Sequence, residues 1–166
     1  MLTRLAVKTH GAAFLYLRSG EEFVCAARTG LTGLKGLSIE PGTRRPLVVS
    51  AGGVAILLTL PLGEQRRIEK NNLRQIASVG EARVSAVQAM LRRSRQRGFG
   101  INLEDVVPGL DAFGVALRDS ADQVIGSITV AMPAQPAPAA RIAAMQALLE
   151  SEARRFEDEQ SMLVAA

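Results

Sequence analysis

The stretch FGVALRDSADQVIGSITVA, residues 113–131, predicts a β-hairpin whose two faces carry side chains of very different size. Neighbouring residues of a strand point to opposite faces, so Phe113, Val115 and Leu117 share one bulky face. The other face carries only small side chains, two of them with hydroxyl groups: Ala112, Gly114, Ala116, Ser127, Thr129 and Ala131. Small side chains on one sheet face indicate that something approaches it closely, either a packed helix or a ligand in a cavity.

The uncharged segment PLVVSAGGVAILLTLPLG, residues 46–63, predicts a buried helix that faces this hairpin and ends near Pro61. A membrane span needs about 20 apolar residues, and the prolines and paired glycines leave too short a helix for that. The segment also lacks the lysine of a phosphate-binding loop. Two starting points stay open. In the first, Ser50 caps the helix, and the free N–H groups after it form a site for a carboxylate. In the second, the helix starts at Pro46, and the small residues of SAGG only allow a neighbouring element to approach closely.

The rest of the chain predicts an α+β domain. Apolar spacing and turn residues predict a first hairpin, two helices, a short strand and a last helix. In chain order these elements span residues 13–28, 64–78, 83–97, 99–103 and 138–156, and residues 31–45 form a glycine-rich loop. This order of elements indicates a mixed sheet flanked by helices.

The composition argues against several function classes. Hydrophobic residues make up 48% and charged residues 22%, which is typical of a globular protein. The net charge is +4, and arginines cluster in residues 92–97, where they could oppose phosphates. Aromatic residues make up only 4% and none lies among these arginines, so we interpret the cluster as a solvated helix face. The single cysteine, Cys25, favours a reducing cytoplasm and is interpreted as a small buried side chain.

No pattern typical of catalysis or metal binding is present in the sequence. His10 is the only histidine and lies next to a predicted turn, and no Cys, His and carboxylate residues have the spacing of metal ligands. The sequence also lacks a G-x-S-x-G nucleophile motif. We therefore predict no enzymatic activity, no catalytic residue, no metal and no cofactor. An enzyme that uses Cys25 or His10 is the alternative, but no third catalytic partner is evident.

Three segments together resemble one protein family. RPLVVSAGGVAILL, residues 45–58, resembles the P-L-x-x-T-A-x-G-K-A-x-L-A pattern of transcription factors of the isocitrate-lyase-regulator (IclR) type. Residues 97–109 contain RGFG, then Glu104, then VPG, and this pattern resembles the family's R-G-Y-x…E-x-x-x-P-G signature. The second hairpin, through residue 133, resembles its closing A-A-P-V-x-D-x-x-G-x-V-x-A-A-L-S-V-S-G-P segment. The resemblance covers about residues 5–156.

The resemblance implies a GAF-like α+β fold, in which a mainly antiparallel sheet is flanked by helices on both sides. Such domains bind small organic acids and mediate dimer and tetramer contacts in cytoplasmic regulators, without a membrane contact. In that family a winged helix-turn-helix precedes the domain. We expect that domain to lie outside this sequence, so DNA binding is expected only through it. We expect residues 1–9 to end an interdomain linker helix, residues 10–160 to form the effector-binding domain, and residues 161–166 to form a tail.

The resemblance also assigns a set of candidate pocket positions. They are Leu34 and Leu37 as apolar cover, Ala51 and Gly52 as backbone amides that meet a carboxylate, Asn102, and the wall positions Ala112, Thr129 and Ala131. Alanine at 112 and 131 replaces polar residues found in some members, and Asn102 stands where an aspartate is frequent. The pocket is therefore expected to be less polar and to favour an aromatic or branched carboxylate. The alternative is an oligomerisation module with a vestigial pocket.

Overall fold

Six strands and five α-helices make up residues 1–119 and 121–164, which are the residues that the computed structural model describes. The strands are β1 (Ala12–Ser19), β2 (Glu22–Gly30), β3 (Arg44–Pro46), β4 (Gly100–Leu103), β5 (Leu110–Arg118) and β6 (Val124–Pro133). The helices are α1 (Leu2–Thr9), α2 (Ala51–Leu57), α3 (Leu62–Ile76), α4 (Glu81–Arg97) and α5 (Ala139–Val164), with short 3-10 turns at Leu47–Val49 and Ala77–Val79.

Each helix and strand predicted from the sequence is present, with ends that differ by a few residues except at the end of the last helix, which is longer than predicted. Helix α4 ends at Arg97 because Gly98 adopts a left-handed conformation with φ 76°, as its position in the sequence predicts. Helix α5 continues to Val164, through most of the segment expected as a tail. Residues 165 and 166 of that segment lie outside the described residues, as does Ser120 in the turn of the second hairpin.

The six strands form one antiparallel sheet in the order β3-β2-β1-β6-β5-β4. The predicted α+β architecture, an antiparallel sheet with helices on both faces, is confirmed, but the mixed sheet indicated by the order of elements is wrong. The two hairpins meet edge to edge, with Ala12 opposite Ala131 and Phe14 opposite Thr129. No helix among the described residues joins two strands that lie side by side, so no parallel pair arises.

The two faces of the sheet support separate hydrophobic clusters. Helices α2, α3 and α4 cover one face, and α1 and α5 cover the other. Phe113, Val115 and Leu117 pack on the second face, in one cluster with Leu5 of α1 and Leu149 of α5. The bulky hairpin face predicted from alternation is therefore confirmed, and the small face points towards α2.

Helix α2 contacts the small face backbone against backbone. A Cβ atom on Gly114 of β5 would lie 2.7 Å from both Cα and N of Gly52, and one on Gly52 would lie 2.0 Å from Oγ1 of Thr129. Real side chains do not approach so closely, so the contact exists because both positions are glycine.

Helix α2 starts after Ser50 and not at Pro46, which is the first of the two starting points that the sequence left open. Ser50 has extended backbone angles (φ −148°, ψ 143°), and the helix begins at Ala51. All seven residues of α2 are buried, and it ends at Leu57, shortly before Pro61. The Ser50 carbonyl accepts a hydrogen bond from Val54 N at 2.8 Å, while its side chain makes no capping hydrogen bond to this helix. None of the helices that the structure describes is both long and apolar enough to cross a membrane.

Gly114→Ala tests the contact between α2 and β5. The new methyl group would meet the backbone of Gly52, which cannot move aside as a flexible side chain can. We expect a loss of about 2 kcal/mol or more in the free energy of unfolding, measured by urea denaturation. Gly63→Ala in α3 is the matched control, because nothing lies within 4 Å of its Cβ position. The control should stay within about 1 kcal/mol of the wild type; equal stability of both variants would contradict the close contact.

Helix α1 is held on α5 by a carboxylate of low exposure. The Glu152 side chain is 5% exposed and accepts hydrogen bonds from Arg4 Nε at 3.0 Å and Lys8 Nζ at 3.4 Å. Burial alone would raise the pKa of Glu152, but the hydrogen bonds and charges of Arg4 and Lys8 outweigh burial, so the pKa lies below its ordinary value of 4.5. The ionised carboxylate therefore stabilises the folded state.

The lowered pKa gives Glu152 a defined effect on acid stability. The stabilisation that ionised Glu152 gives the folded state is complete above its ordinary pKa of 4.5. It is lost as the pH falls through the lower pKa that Glu152 has in the folded state. We expect Glu152→Gln to lower the free energy of unfolding by about 1 kcal/mol at pH 7, and the difference from wild type to shrink progressively as the pH falls below 4.5. Glu150→Gln on the same helix should have little effect across this pH range. A difference for Glu152→Gln that stays constant with pH would contradict the assignment.

Candidate functional site

A cavity of about 170 Å³ lies between the small face of the sheet, the start of α2 and the loop after β2. Its walls are mostly apolar, with a few hydroxyl, amide and guanidinium groups. The lining residues are Tyr16, Phe23, Gly36, Leu37, Ser38, Ile39, Arg45, Val49, Ser50, Ala51, Arg83, Asn102, Val106, Val107, Leu110, Ala112, Thr129 and Ala131.

The cavity exists because α2 covers only part of the small face. At one level of the hairpin Gly114 pairs with Thr129, and Gly52 of α2 packs directly on that pair. At the next level Ala112 pairs with Ala131, and both of these side chains line the cavity. The sequence left open whether a helix or a cavity occupies the small face, and the structure contains both, side by side.

Two buried hydroxyl groups on this face have no hydrogen-bond partner among the described residues. Thr129 is 2% exposed and Ser127 is 0% exposed, yet neither Oγ1 of Thr129 nor Oγ of Ser127 makes a hydrogen bond. Leaving a buried hydroxyl unpaired costs about 1–3 kcal/mol. Thr129 also lines the cavity, and its unpaired hydroxyl lies where the cavity wall meets Gly52 of α2.

Asn102 shapes the rim of the cavity. Its Oδ1 accepts hydrogen bonds from Asp105 N at 2.9 Å and Val106 N at 3.3 Å, which holds the segment after β4 in a turn. Asp105 is itself held by Leu103 N at 2.8 Å and by Arg93 Nη1 at 2.7 Å. The amide nitrogen of Asn102 donates no hydrogen bond within the described part of the chain, so this wall residue keeps a free donor.

The loop after β2 covers the cavity and contacts its opposite rim. Leu37 and Ile39 line the cavity from this loop, and a Cβ atom on Gly36 would lie 2.7 Å from Cγ1 of Val107. Arg28 holds the loop, because its Nη1 donates to the Ile39 carbonyl at 3.2 Å. The cover is therefore anchored by β2.

The rim also carries cationic and aromatic groups. Arg83 of α4 is half-buried, and its Nη1 donates to the carbonyl of Val106; burial lowers the pKa of this guanidinium. Arg45 is exposed and donates to the Arg44 carbonyl at 2.8 Å. Tyr16 stacks on Phe23 with ring centroids 4.3 Å apart, and burial is the main cause that raises the pKa of its hydroxyl.

Most of the residues predicted from the sequence come together at this cavity. Those that line it are Leu37, Ala51, Asn102, Ala112, Thr129 and Ala131. Gly52 lies behind the wall, in the contact with Gly114, and Leu34 packs beside the hydrophobic cluster without lining the cavity. The sequence analysis did not predict Tyr16, Phe23, Arg45 or Arg83. Alternation along β1 could have placed Tyr16 on this face, but no local signal marks Arg83.

The residues considered for catalysis are not part of the cavity wall. Cys25 is buried, its thiol lies 3.5 Å from the Ala27 carbonyl, and burial raises its pKa. His10 follows α1 in a left-handed conformation with φ 49°. Neither residue lines the cavity. Among residues 1–119 and 121–164 no three His, Cys, Asp or Glu side chains are grouped so that they could hold a metal ion.

Comparisons with known proteins agree with the resemblance found in the sequence. A family model described as bacterial transcriptional regulator IclR C-terminal matches residues 1–157. The chain is 25% identical over 156 residues to the HTH-type transcriptional repressor AllR of Klebsiella pneumoniae, covering 93% of the chain and 57% of AllR. It therefore spans little more than half the length of this relative. The matched curated relatives are transcriptional regulators and not enzymes.

Solved structures with the same fold include longer chains and isolated domains. The IclR structure of Thermotoga maritima superposes with a TM-score of 0.74 at 19% identity, covering 96% of this chain and 65% of that one. The inducer-binding domain of a PobR double mutant from Acinetobacter, in complex with 3-hydroxy benzoic acid, has a TM-score of 0.65 at 18% identity and covers 94% and 93% of the two chains. At these identities the likeness establishes the fold alone.

Thr129→Val tests whether the Thr129 hydroxyl is unpaired in the free protein. Valine has nearly the same shape and replaces only the hydroxyl with a methyl group, so we expect the free energy of unfolding to stay unchanged or to rise by about 1 kcal/mol. Ser94→Ala is the control, because buried Ser94 Oγ accepts a hydrogen bond from Ile101 N at 3.0 Å. The control should lose about 1–2 kcal/mol in urea denaturation. A similar loss in Thr129→Val would show that its hydroxyl has a partner.

Proposed function

The chain belongs to the IclR family of bacterial transcriptional regulators, and from this premise we propose that it is a sensor domain which binds a small organic acid and thereby controls DNA binding by another part of the protein. The cavity at Thr129 carries this proposal. It combines apolar walls with a buried hydroxyl that has no partner among the described residues. Such a cavity, with a few placed polar groups, is typical of a small-molecule site.

The size of the cavity favours a ligand with one ring or a short branched chain. An apolar cavity of about 150 Å³ holds a benzene molecule. The volume here is about 170 Å³, and Ala112 and Ala131 contribute only methyl groups to its wall. An aromatic or branched carboxylate fits this space better than the smallest hydrophilic acids. The hydroxybenzoate bound to the PobR domain is a property of that protein, and it is consistent with this ligand class.

The polar groups of the wall suggest how such a ligand is oriented. Oγ1 of Thr129 and the amide nitrogen of Asn102 each lack a partner among the described residues, so both can hydrogen-bond to a hydroxyl or carboxyl group. Leu37 closes the cavity from the cover loop, and Ala51 contributes to the wall at the start of α2. Gly52 serves this site indirectly, by holding α2 against the sheet.

A chain of contacts joins the cavity to α1. Ile39 lines the cavity and is bound by Arg28, which also donates to the carbonyl of Leu31 at 3.3 Å. Leu31 N donates to the carbonyl of Gly11 at 3.0 Å, directly after α1. We propose that a ligand shifts the population of two positions of this loop and so of α1, which would lead towards a DNA-binding domain. Self-association as a dimer or tetramer belongs to the same proposal.

Isothermal titration calorimetry with benzoate, 3-methylbutanoate, glyoxylate and acetate tests the ligand class. We expect benzoate or 3-methylbutanoate to bind at least about tenfold more tightly than glyoxylate, because each buried CH₂ group adds about 0.8 kcal/mol. Ala112→Leu should fill the cavity and abolish this binding. Ala144→Leu, an exposed change on α5, is the matched control and should bind normally.

Three results would contradict the proposal. Binding of the two smallest acids alone would overturn the aromatic or branched ligand class. Unchanged affinity in a folded Ala112→Leu variant would overturn the site. Binding of no acid by the folded wild type would favour the oligomerisation module, whose dimer or tetramer would then be measured by light scattering.

A further inference from the structure

Arg83 occupies a position that is electrostatically unfavourable without an anion nearby. It lies in the first turn of α4, where the helix dipole presents its positive end and disfavours a cation. The side chain is half-buried, and the loss of hydration lowers the pKa of its guanidinium. No carboxylate of the described residues lies within 4.0 Å of it. An anion at the rim of the cavity would offset all three effects.

The lack of a carboxylate partner distinguishes Arg83 from other arginines of low exposure. Arg93 forms an ion pair with Asp105 at 2.7 Å, and Arg141 forms one with Asp111 at 2.8 Å. Arg28 also pairs with a carboxylate, on the cover loop. Of the two arginines that line the cavity, Arg83 and Arg45, neither has such a partner among the described residues. One cavity therefore has two cations at its rim and no anion to balance them.

The guanidinium of Arg83 keeps most of its donors. Its Nη1 donates to the Val106 carbonyl, which fixes the group at the rim, and Nη2 and Nε donate no hydrogen bond to the residues that the structure describes. These two nitrogens form one side of the planar group, the arrangement that binds a carboxylate through two parallel hydrogen bonds. A ligand carboxylate can thus be bound while the bond to Val106 is retained.

The start of α2 is less suited to this task. The helix has only seven residues, so its dipole is small, and the Gly52 nitrogen lies only 2.7 Å from the Cβ position of Gly114, packed against the sheet. Gly52 does not line the cavity, whereas Arg83 does. The expectation that the amides of Ala51 and Gly52 bind the carboxylate therefore has weaker support than a guanidinium contact.

We propose that Arg83 binds the carboxylate of the effector at the rim of the cavity and so makes the site selective for the anionic form of the ligand, with the exposed Arg45 as a weaker second cation. This inference rests on the proposed sensing of an organic acid. The apolar part of the ligand then lies between the cover loop and the methyl groups of Ala112 and Ala131, and its far end reaches Thr129.

The test compares an acid with its neutral amide in matched variants. Two acid–amide pairs are used: benzoate with benzamide, and 3-methylbutanoate with 3-methylbutanamide. Each compound is titrated into the wild type, Arg83→Gln, Arg45→Gln and Arg92→Gln. Arg92 is an exposed arginine of the same helix, so its variant changes the net charge equally without touching the cavity. Thermal unfolding of each variant verifies that it is folded.

The wild type should bind an acid about 30-fold more tightly than its amide, as charge-assisted hydrogen bonds predict. Arg83→Gln should lose about 30-fold in affinity for the acid and less than about threefold for the amide, so the preference disappears. Arg45→Gln should lose about threefold for the acid, and Arg92→Gln should match the wild type.

Each other outcome overturns a distinct claim. If the wild type binds the acids and Arg83→Gln keeps the preference for them, the role of Arg83 is wrong and the sensing function stands. An equal loss for acid and amide would make Arg83 a structural residue only, and an equal loss in Arg92→Gln would assign the effect to net charge. A folded wild type that binds neither of these acids, nor glyoxylate or acetate, overturns the proposed function and this inference with it.

Discussion

The backbone contact between Gly52 and Gly114 is the constraint on which the rest of this structure depends. It brings α2 so close to the sheet that a methyl group on Gly114 would collide with the backbone of α2, and one on Gly52 would collide with Thr129 of β6 and Tyr16 of β1. A helix at that distance seals one half of the small sheet face and leaves the half at Ala112 and Ala131 uncovered. The cavity is thus the consequence of a short helix placed very close to a long strand pair.

The contact also explains why polar atoms remain without partners in the interior. Ser127 and Thr129 lie beside Gly52 on β6, whose backbone groups already bond to β1 and β5, and α2 has no polar side chain that could pair with their hydroxyl groups. At the rim of the cavity, Arg83 likewise lacks a partner, because no carboxylate of the described residues forms an ion pair with its guanidinium. Unpaired buried groups reduce stability, and a ligand that pairs with them recovers that free energy as affinity.

Elements far apart in the chain connect this site to the surface helices. Arg28 of β2 donates hydrogen bonds to the carbonyls of Ile39 and Leu31 in the cover loop. Leu31 N in turn donates to the carbonyl of Gly11, which follows α1. Glu152 of α5 in turn binds Arg4 and Lys8 of α1. A displacement of the cover is therefore resisted by specific hydrogen bonds and ion pairs, which is the kind of physical network through which binding at one place alters another.

The sequence by itself determined the elements, the two faces of the second hairpin and six of the residues that line the cavity. Period-two alternation separates Phe113 from Ala112 without any knowledge of the fold, and the family resemblance predicted Asn102, Thr129 and Ala131 at the cavity. Only the tertiary structure decided that β1 pairs with β6, that Gly52 packs behind the wall, and that Arg83 reaches the rim. Local patterns record the direction of a side chain within its own element, whereas these three features depend on how closely elements distant in the chain approach one another.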